Sequence, residues 1–250
     1  MQRYHRQIIF FGLGEQGQAK LGQAKVVQVG CGGLGSVLAQ CMVRAGVGKL
    51  TIIDHDTPDI TNLHRQFLFD EDDVGKKIGK AGIAEKKLKK ADSGVEITGI
   101  PKKFSGSNAH ELLAGHDLVL DGTDNMLARY AINDWCVKNN IPWIYGGIIG
   151  ATGMTMVIVP GKTPCLCCLY SETEKTIKTS SAGPRPVINT IPAFIASLQA
   201  TEAIKLLTDS SDLITDLRIA DIWSGEFQQI TVGKDPDCVC CGKQQFTFLE

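Results

Sequence analysis

Length, composition and charge already exclude several classes of protein. The chain has 250 residues, of which 43% are hydrophobic and 21% charged, and its formal net charge is -1. This length suits one large α/β domain, and the near-neutral charge argues against nucleic acid or an anionic membrane as the main partner. The chain does not start with a secretion-signal pattern, and no apolar run is long enough to span a membrane, so we expect a cytoplasmic protein.

Apolar runs alternate with helix-like stretches through the first 150 residues. A lead-in of residues 1–24 contains a predicted helix over Glu15–Ala24. The following predicted elements are, in chain order, a strand at Val26–Val29, a helix ending near Ala45, a strand at Lys49–Asp54, a basic helix near Lys80–Lys90, strands near Val95–Ile100 and at Leu118–Asp121, a helix over Asn125–Asn139 and a strand at Trp143–Tyr145. This alternation predicts an α/β fold with a Rossmann-like, doubly wound and mainly parallel sheet.

The pattern changes after Gly150. The predicted elements there are a strand at Met154–Val159, a polar loop at Ser171–Pro186, a helix over Pro192–Leu207 and a hairpin of Arg218–Trp223 with Phe227–Val232. We expect these C-terminal strands to continue the sheet in antiparallel fashion within a single domain of residues 1–250.

A glycine-rich loop joins the first strand to the following helix. Gly30, Gly32 and Gly35 have G-x-G-x-x-G spacing, which lets the backbone approach a phosphate group at the N-terminus of a helix. Asp54 ends the next strand, where such folds place an acid on a ribose hydroxyl. The motif predicts a bound nucleotide, with a ligand-free tight turn as the alternative. By itself the motif would suggest NAD.

Three polar segments favour ATP over NAD. They are the stretch from Asp54 to Gln66, the basic helix with Lys80, and Asp121–Asn125. Segments that follow parallel strands open on one edge of the sheet, where lysine and arginine neutralise a triphosphate and aspartate holds Mg²⁺. Hydride transfer needs no such cluster. Each segment alone is explained as well by a solvated loop.

Six of the nine cysteines form two clusters. The pairs Cys165 with Cys168 and Cys238 with Cys241 are C-x-x-C motifs, which in a cytosolic protein predict a closed, structural Zn²⁺ site. A redox pair or free thiols are the alternative.

The motifs together resemble the E1-like (ubiquitin-activating-enzyme-like) superfamily, and within it the MoeB/ThiF/HesA adenylyltransferases. The matching segments are Arg3–Gln7, Gly30–Gly35, Asp54-x-Asp56, Asn62–Gln66 and Thr123–Asn125, and the resemblance runs from Arg3 to about Gly242. It implies a homodimeric enzyme that uses ATP and Mg²⁺ to activate a carboxylate as an acyl-adenylate, with release of pyrophosphate. It also implies the structural zinc, a nucleotide-binding half at residues 25–150 and a carrier- or substrate-binding half at residues 151–250.

The resemblance also implies roles for individual residues. The implied nucleotide-binding set is Gly30, Gly32, Gly33, Gly35, Asp54, Asp56, Asn62, Arg65, Gln66, Lys80, Asp124 and Asn125. Arg65, Lys80 and Asp124 would act in catalysis, together with Arg6 from the neighbouring subunit. The family's lysine usually follows Gly-x-Pro, whereas this chain has Gly75-Lys76-Lys77-Ile78-Gly79-Lys80, so Lys76 and Lys77 remain alternatives to Lys80.

One family feature is missing. Many E1-like enzymes have a cysteine in the loop before the long C-terminal helix, but Ser171–Pro186 contains none. Because a thiolate is the competent nucleophile for a thioester, we expect the chemistry to stop at the adenylate. The leading substrate is the C-terminal Gly-Gly of a ubiquitin-like sulfur carrier of the ThiS/MoaD type. A small carboxylate in cofactor biosynthesis is the alternative, and an NAD-dependent oxidoreductase or a non-catalytic nucleotide-binding scaffold is more remote.

Overall fold

One β-sheet runs through both halves of the chain. The computed structural model describes residues 2–170 and 186–249, and within these ranges the strands form an eight-stranded sheet. The strands are β1 (Lys25–Val29), β2 (Lys49–Ile53), β3 (Glu96–Ile100), β4 (Leu118–Asp121), β5 (Trp143–Ile149), β6 (Thr152–Ile158), β7 (Leu217–Asp221) and β8 (Glu226–Ile230). Their order across the sheet is β3-β2-β1-β4-β5-β6-β7-β8.

Helices cover both faces of this sheet. In the described ranges they are α1 (His5–Ile8), α2 (Gly14–Leu21), α3 (Gly33–Ala45), α4 (Lys80–Ala91), α5 (Ala109–Leu113), α6 (Met126–Asn139), α7 (Leu166–Leu169) and α8 (Thr190–Leu207). Side chains of β1 alternate between two cores: Val26 packs with residues of α3, α4 and α8, whereas Val27 and Val29 pack with residues of α5 and α6. Strands buried on both faces are typical of a parallel, doubly wound sheet.

The order in which strands are added to the sheet reverses at β1. Strands β1 to β5 pair in parallel, with β2 on one side of β1 and β4 on the other. A crevice therefore opens beyond the carboxyl ends of β1 and β4, which is where open α/β sheets bind ligands. Strands β6, β7 and β8 add to β5 in antiparallel fashion.

The predicted fold class is confirmed, namely a mainly parallel α/β sheet continued by antiparallel C-terminal strands. Several boundaries were wrong. Strand β5 extends to Ile149 rather than Tyr145 and forms a hairpin with β6, and the short helix α5 was not predicted. Helix α2 ends at Leu21 rather than Ala24 because the chain turns there to enter β1 at Lys25.

The fold leaves two of the predictions untested. Residues 171–185 of the predicted loop lie outside the described ranges. The division into a nucleotide half and a carrier half also stays a prediction. Among the described helices, none combines the length and the apolar character that crossing a bilayer would require.

Candidate nucleotide site and cysteine cluster

The glycine loop closes tightly against the end of β4. Gly30 has a φ of +89°, and a Cβ atom there would lie 2.5 Å from the carbonyl oxygen of Gly122. A Cβ at Gly35 would lie 2.1 Å from the carbonyl oxygen of Gly30. These two glycines are therefore required by the packing of the loop itself. At Gly32 the nearest atom to such a Cβ is Gln66 Nε2, at 3.7 Å, so this side of the loop has space for a ligand.

The N-terminus of α3 offers unpaired amide groups to that space. Gly32 is the N-cap of this 13-residue helix and makes no side-chain cap. The first helical bond runs from Ser36 N to Gly32 O, and among the described residues the amides of Gly33 and Leu34 have no acceptor. Orphan N–H groups and the helix dipole attract an anion at this position.

The side chain of Gln28 holds the two ends of the glycine loop together. Its side chain is fully buried in β1, and its Nε2 donates to Gly30 O at 2.9 Å and to Gly35 O at 3.0 Å. The amide thus joins the two ends of the turn that the phosphate groups would approach. The sequence pattern gave no sign of this role for Gln28.

Asp54 connects the loop to the end of β2. Its Oδ2 accepts from Cys31 N at 2.6 Å, and its Oδ1 accepts from Asp56 N at 2.8 Å. Burial raises the pKa of Asp54 despite these two donors. The carboxylate therefore shapes the loop directly, in addition to the ribose contact that the sequence predicts.

Lys80 points toward this same edge of the sheet. It is the first residue of α4, its side chain is 5% exposed, and its Nζ lies 3.3 Å from Asp56 Oδ2. The two alternative lysines are placed differently: Lys76 pairs with Asp73 Oδ1 at 3.4 Å, and Lys77 is exposed. Only Lys80 of the three contacts a predicted site residue.

The segment Asn62–Gln66 lies over the glycine loop. A Cβ at Gly33 would lie 3.7 Å from Arg65 O, and Gln66 Nε2 donates to Asn62 Oδ1 at 2.7 Å. The guanidinium of Arg65 donates to Thr61 O at 3.2 Å and is partly exposed. The buried Oε1 of Gln66 has no hydrogen-bond partner among the described residues, so it is free to accept a hydrogen bond from a polar ligand.

A buried ion pair fixes the loop that carries Asp124. Asp121 Oδ2 accepts from Arg129 Nε at 2.9 Å, and Arg129 also donates to Thr123 O at 2.6 Å and to Gly146 O at 2.9 Å. Burial alone would lower the pKa of Arg129, but the neighbouring Asp121 more than offsets this and the pKa of the guanidinium is raised. Asp124 is exposed in the loop between β4 and α6. Asn125 caps α6 by accepting a hydrogen bond from Leu127 N at 2.9 Å.

Arg6 does not lie near the other predicted site residues of its own chain. It is exposed on α1, and the neighbouring Gln7 donates to Ala45 O at the C-terminal end of α3. Nearby Arg3 donates to Ala91 O at the end of α4. Since α3 rises by about 18 Å from Gly33 to Ala45, the structure places Arg6 far from the site of its own chain.

Four sulfur atoms of the cysteine clusters form a compact group. The Sγ atoms of Cys165, Cys168, Cys238 and Cys241 all lie within 4.8 Å of one another. Three of the separations are 3.6 Å for Cys165 to Cys238, 3.5 Å for Cys168 to Cys241 and 4.0 Å for Cys165 to Cys168. Tetrahedral zinc with bonds of about 2.3 Å needs sulfur separations of about 3.8 Å, so the residues fit this ion.

The comparison with known proteins decides the family. The ThiF family matches residues 4–240. The chain belongs to the ThiF family. The sulfur carrier protein ThiS adenylyltransferase of Bacillus subtilis is 38% identical to it over 249 residues, covering 99% of this chain and 73% of that protein. The sulfur carrier protein adenylyltransferase of Thermus thermophilus is 35% identical over 250 residues, covering 98% of this chain and 92% of that protein.

Solved structures of similar fold agree with this membership. A crystal structure of E. coli MccB with ATP has a TM-score of 0.82 and 28% sequence identity, covering 91% of this chain and 69% of that chain. The predicted E1-like family, the use of ATP and the adenylyltransferase class are confirmed for this ThiF-family chain. The roles of individual residues stay predictions.

Proposed function

We propose that this ThiF-family chain activates the C-terminal carboxylate of a ubiquitin-like sulfur carrier as an acyl-adenylate, with release of pyrophosphate from ATP. The observation that carries the proposal is the unpaired N-terminus of α3 in the crevice beyond β1 and β4. Lys80 beside Asp56, Arg65 in the segment next to Gly33, and Asp124 in the loop after β4 support it. The names of the relatives, which are sulfur carrier adenylyltransferases, support the choice of substrate.

The cations of the site suit attack at the α-phosphorus. A carrier carboxylate would form a new P–O bond there while the bond to the β-phosphate breaks and the electron pair leaves with pyrophosphate. Two anions must approach each other, so Lys80 and Arg65 would stabilise the charge that builds up on the phosphate oxygens. The buried position of Lys80 beside Asp56 supports it over Lys76 and Lys77.

Two carboxylates would hold a magnesium ion. Asp124 and Asp56 present oxygen ligands at the edge of the sheet, and Mg²⁺ prefers such hard ligands together with substrate phosphates. When bound, the ion would neutralise part of the charge of the leaving pyrophosphate. Asn62 and Gln66 would then orient the remaining polar groups of the nucleotide.

Arg6 supports a homodimer as the working unit. Its position at the far ends of α3 and α4 suits a side chain that reaches the site of a second copy. The adjoining residues Ile9, Phe10 and Phe11 are 63%, 55% and 93% exposed. An apolar patch of this kind on a surface marks an interaction site, and a second copy would bury it together with Arg6.

The C-terminal strands offer a place for the carrier. Ile149 ends β5, while Trp223 and Phe227 flank the turn between β7 and β8. The strand directions bring all three to the same edge of the sheet as the glycine loop, and they are 51%, 80% and 64% exposed. A carrier bound on these side chains would have its C-terminal tail directed along the sheet edge toward the nucleotide.

The four-cysteine group would hold a structural zinc ion. Cys165 is the N-cap of α7 and Cys168 lies within this helix, whereas Cys238 and Cys241 belong to the C-terminal segment, so the ion would tie these two parts together. The reduced cysteines and the use of ATP both fit the predicted cytoplasmic location. Because Ser171–Pro186 contains no cysteine, the product released to the next enzyme would be the acyl-adenylate itself.

Isotope exchange between ATP and pyrophosphate tests the proposal. We expect exchange that depends on a carrier ending in Gly-Gly, and loss of about 100-fold or more in Arg65→Ala and in Asp124→Ala, because each removes charge from the phosphate site. Arg44→Ala and Asp212→Ala are matched controls, since both residues are exposed and distant from the crevice. Thermal unfolding would confirm that all four variants keep the fold.

The result also separates the competing functions. Exchange that depends on a small carboxylate but not on a Gly-Gly carrier would overturn the carrier proposal while keeping the adenylation chemistry. Binding of ATP without exchange under any condition would identify a non-catalytic scaffold. Full activity in Arg65→Ala or Asp124→Ala would show that the site residues are wrongly assigned.

A further inference from the structure

Two of the six clustered cysteines have no role in the four-cysteine site. Cys167 and Cys240 each lie one position before the last cysteine of a C-x-x-C pair. Both are buried, with exposed fractions of 8% and 0%. A buried thiol often packs as a small apolar side chain, so the surrounding geometry must distinguish packing from ligand binding.

Cys167 and Cys240 form a second sulfur group with Cys165. The three Sγ atoms lie within 4.8 Å of one another, and all three residues are buried. An ion with three sulfur ligands in a plane, at bonds of about 2.3 Å, needs sulfur separations of about 4 Å. The spacing of this group therefore suits a three-coordinate thiolate site that shares Cys165 with the four-cysteine site.

Asn133 directs its amide group at two of these sulfur atoms. Its Nδ2 lies 3.2 Å from Cys240 Sγ and 3.5 Å from Cys167 Sγ, and it donates to both. Its Oδ1 accepts from Leu166 N at 2.9 Å, which fixes the orientation of the amide. Asn133 is fully buried, so water does not compete for these N–H groups. Donors aimed at ligand sulfur atoms are typical of the outer shell of metal sites.

We propose that Cys165, Cys167 and Cys240 bind a second thiophilic d¹⁰ ion, such as Cd²⁺ or Cu(I), with Cys165 bridging it to the four-cysteine site. A group made of sulfur alone selects soft ions and rejects Mg²⁺ and Ca²⁺. Binding releases the thiol protons of Cys167 and Cys240 to solvent, since Cys165 is already a thiolate as a zinc ligand. Since two protons leave, a divalent ion keeps the charge of the cluster unchanged, whereas Cu(I) makes the cluster more negative by one unit. The preference of Cu(I) for three ligands favours its binding in spite of this charge.

Metal titration of the full-length protein tests this site. Zinc-loaded protein is titrated with Cd²⁺ or with Cu(I) under anaerobic conditions, and the bound metals are counted by mass spectrometry after desalting. We expect two ions per chain in the wild type but one in Cys167→Ala and in Cys240→Ala, which keep the four-cysteine site. Cys41→Ala is the matched control, because Cys41 lies on α3 outside the cluster, and it should bind two.

The two metal arms distinguish the kind of ion, and several results would overturn the site. Uptake of Cd²⁺ alone would indicate that the charge of the cluster determines which ion binds. Uptake of Cu(I) alone would indicate that the preference of the ion for three ligands determines it. A total of one ion per chain at saturation, or simple replacement of zinc, would refute the proposal, as would two ions in both alanine variants. Should those variants fail to fold, ¹¹³Cd NMR of the wild type gives the answer. Two resonances coupled through a shared sulfur support the site, whereas a single resonance together with no uptake of Cu(I) by the wild type refutes it.

Discussion

At the scale of single residues, two buried amides shape the candidate site without facing the nucleotide. Gln28 binds the carbonyl groups of Gly30 and Gly35, as described above. Gln199 is also fully buried, and its Nε2 donates to Asp121 O at 3.0 Å and to Ile144 O at 3.3 Å. Buried amides of this kind fix one arrangement of the backbone, because an unmade bond there would cost free energy.

We predict that Gln28→Leu weakens ATP binding while the fold is retained. The leucine fills a similar volume but leaves two carbonyl groups of the loop without their buried donor. The expected cost is about 1–3 kcal/mol in the free energy of unfolding. We expect ATP binding, measured by calorimetry, to weaken about fivefold to tenfold. The reason is that part of the lost free energy goes into holding the glycine loop in the shape that binds the phosphate groups.

Gln40→Leu is the matched control for this prediction. Gln40 lies on α3 and its Nε2 donates to Ser36 O at 3.2 Å, away from the glycine loop. It should bind ATP as tightly as the wild type. Unchanged ATP affinity in Gln28→Leu would show that the loop keeps its shape without the amide.

Gln28 lies in a strand and Gln199 in helix α8, and a single polar residue inside such an apolar element gives no signal of its contacts in the sequence. In the segment Lys25–Val29, Gln28 is a single polar residue among buried valines, so the pattern indicates only a strand. Gly30, Gly32 and Asp54, by contrast, were predicted because their spacing reflects a backbone requirement that is local in the chain. The partners of Gln28 and Gln199 depend on packing between distant segments, which spacing does not encode.

At the scale of elements, the corner between β4 and α6 organises one wall of the crevice. Arg129 on α6 reaches back to Asp121 at the end of β4 and to Gly146 in β5, so three elements meet at one guanidinium. The predicted strand ended at Tyr145, just before Gly146, whereas β5 continues to Ile149. The structure gives the reason for this glycine: a Cβ there would lie 2.6 Å from the amide of Gln199.

We predict that Asn125 acts mainly as the cap of α6. Asn125→Ala should lower the free energy of unfolding by about 1 kcal/mol, because the amide of Leu127 loses its acceptor. Asn125→Ser should restore most of that stability, since serine caps helices nearly as well. Thermal unfolding and pyrophosphate exchange measured on both variants check this expectation.

The serine variant distinguishes the cap from the nucleotide contact that the family resemblance implies. If Asn125 only positions Asp124 through the helix, Asn125→Ser should regain exchange activity together with stability. Recovery of stability without recovery of activity would instead assign Asn125 a direct contact with the nucleotide.

At the scale of the whole molecule, the N-terminal segment sits at the end of the sheet opposite the crevice. Tyr4 Oη donates to Asp92 Oδ2 at 2.5 Å, next to the C-terminal end of α4. Burial and this hydrogen bond raise the pKa of Tyr4 to about 12. The anchored segment therefore holds Arg6 and the apolar residues 9–11 in a fixed place at this end of the molecule, consistent with the proposal that Arg6 serves a second copy rather than its own chain.

Mixed dimers test this arrangement directly. Arg6→Ala and Arg65→Ala should each abolish exchange as separate homodimers. A dimer that combines the two variants contains one site with both arginines and one site with neither, if Arg6 acts across a two-fold interface. After unfolding and refolding of an equal mixture, half of the dimers are mixed, so we expect about a quarter of wild-type exchange activity. Mixtures that stay inactive, while an affinity tag on one variant co-purifies the other as mixed dimers, would place Arg6 outside the partner's site. Activity in the Arg6→Ala homodimer would remove Arg6 from the reaction altogether.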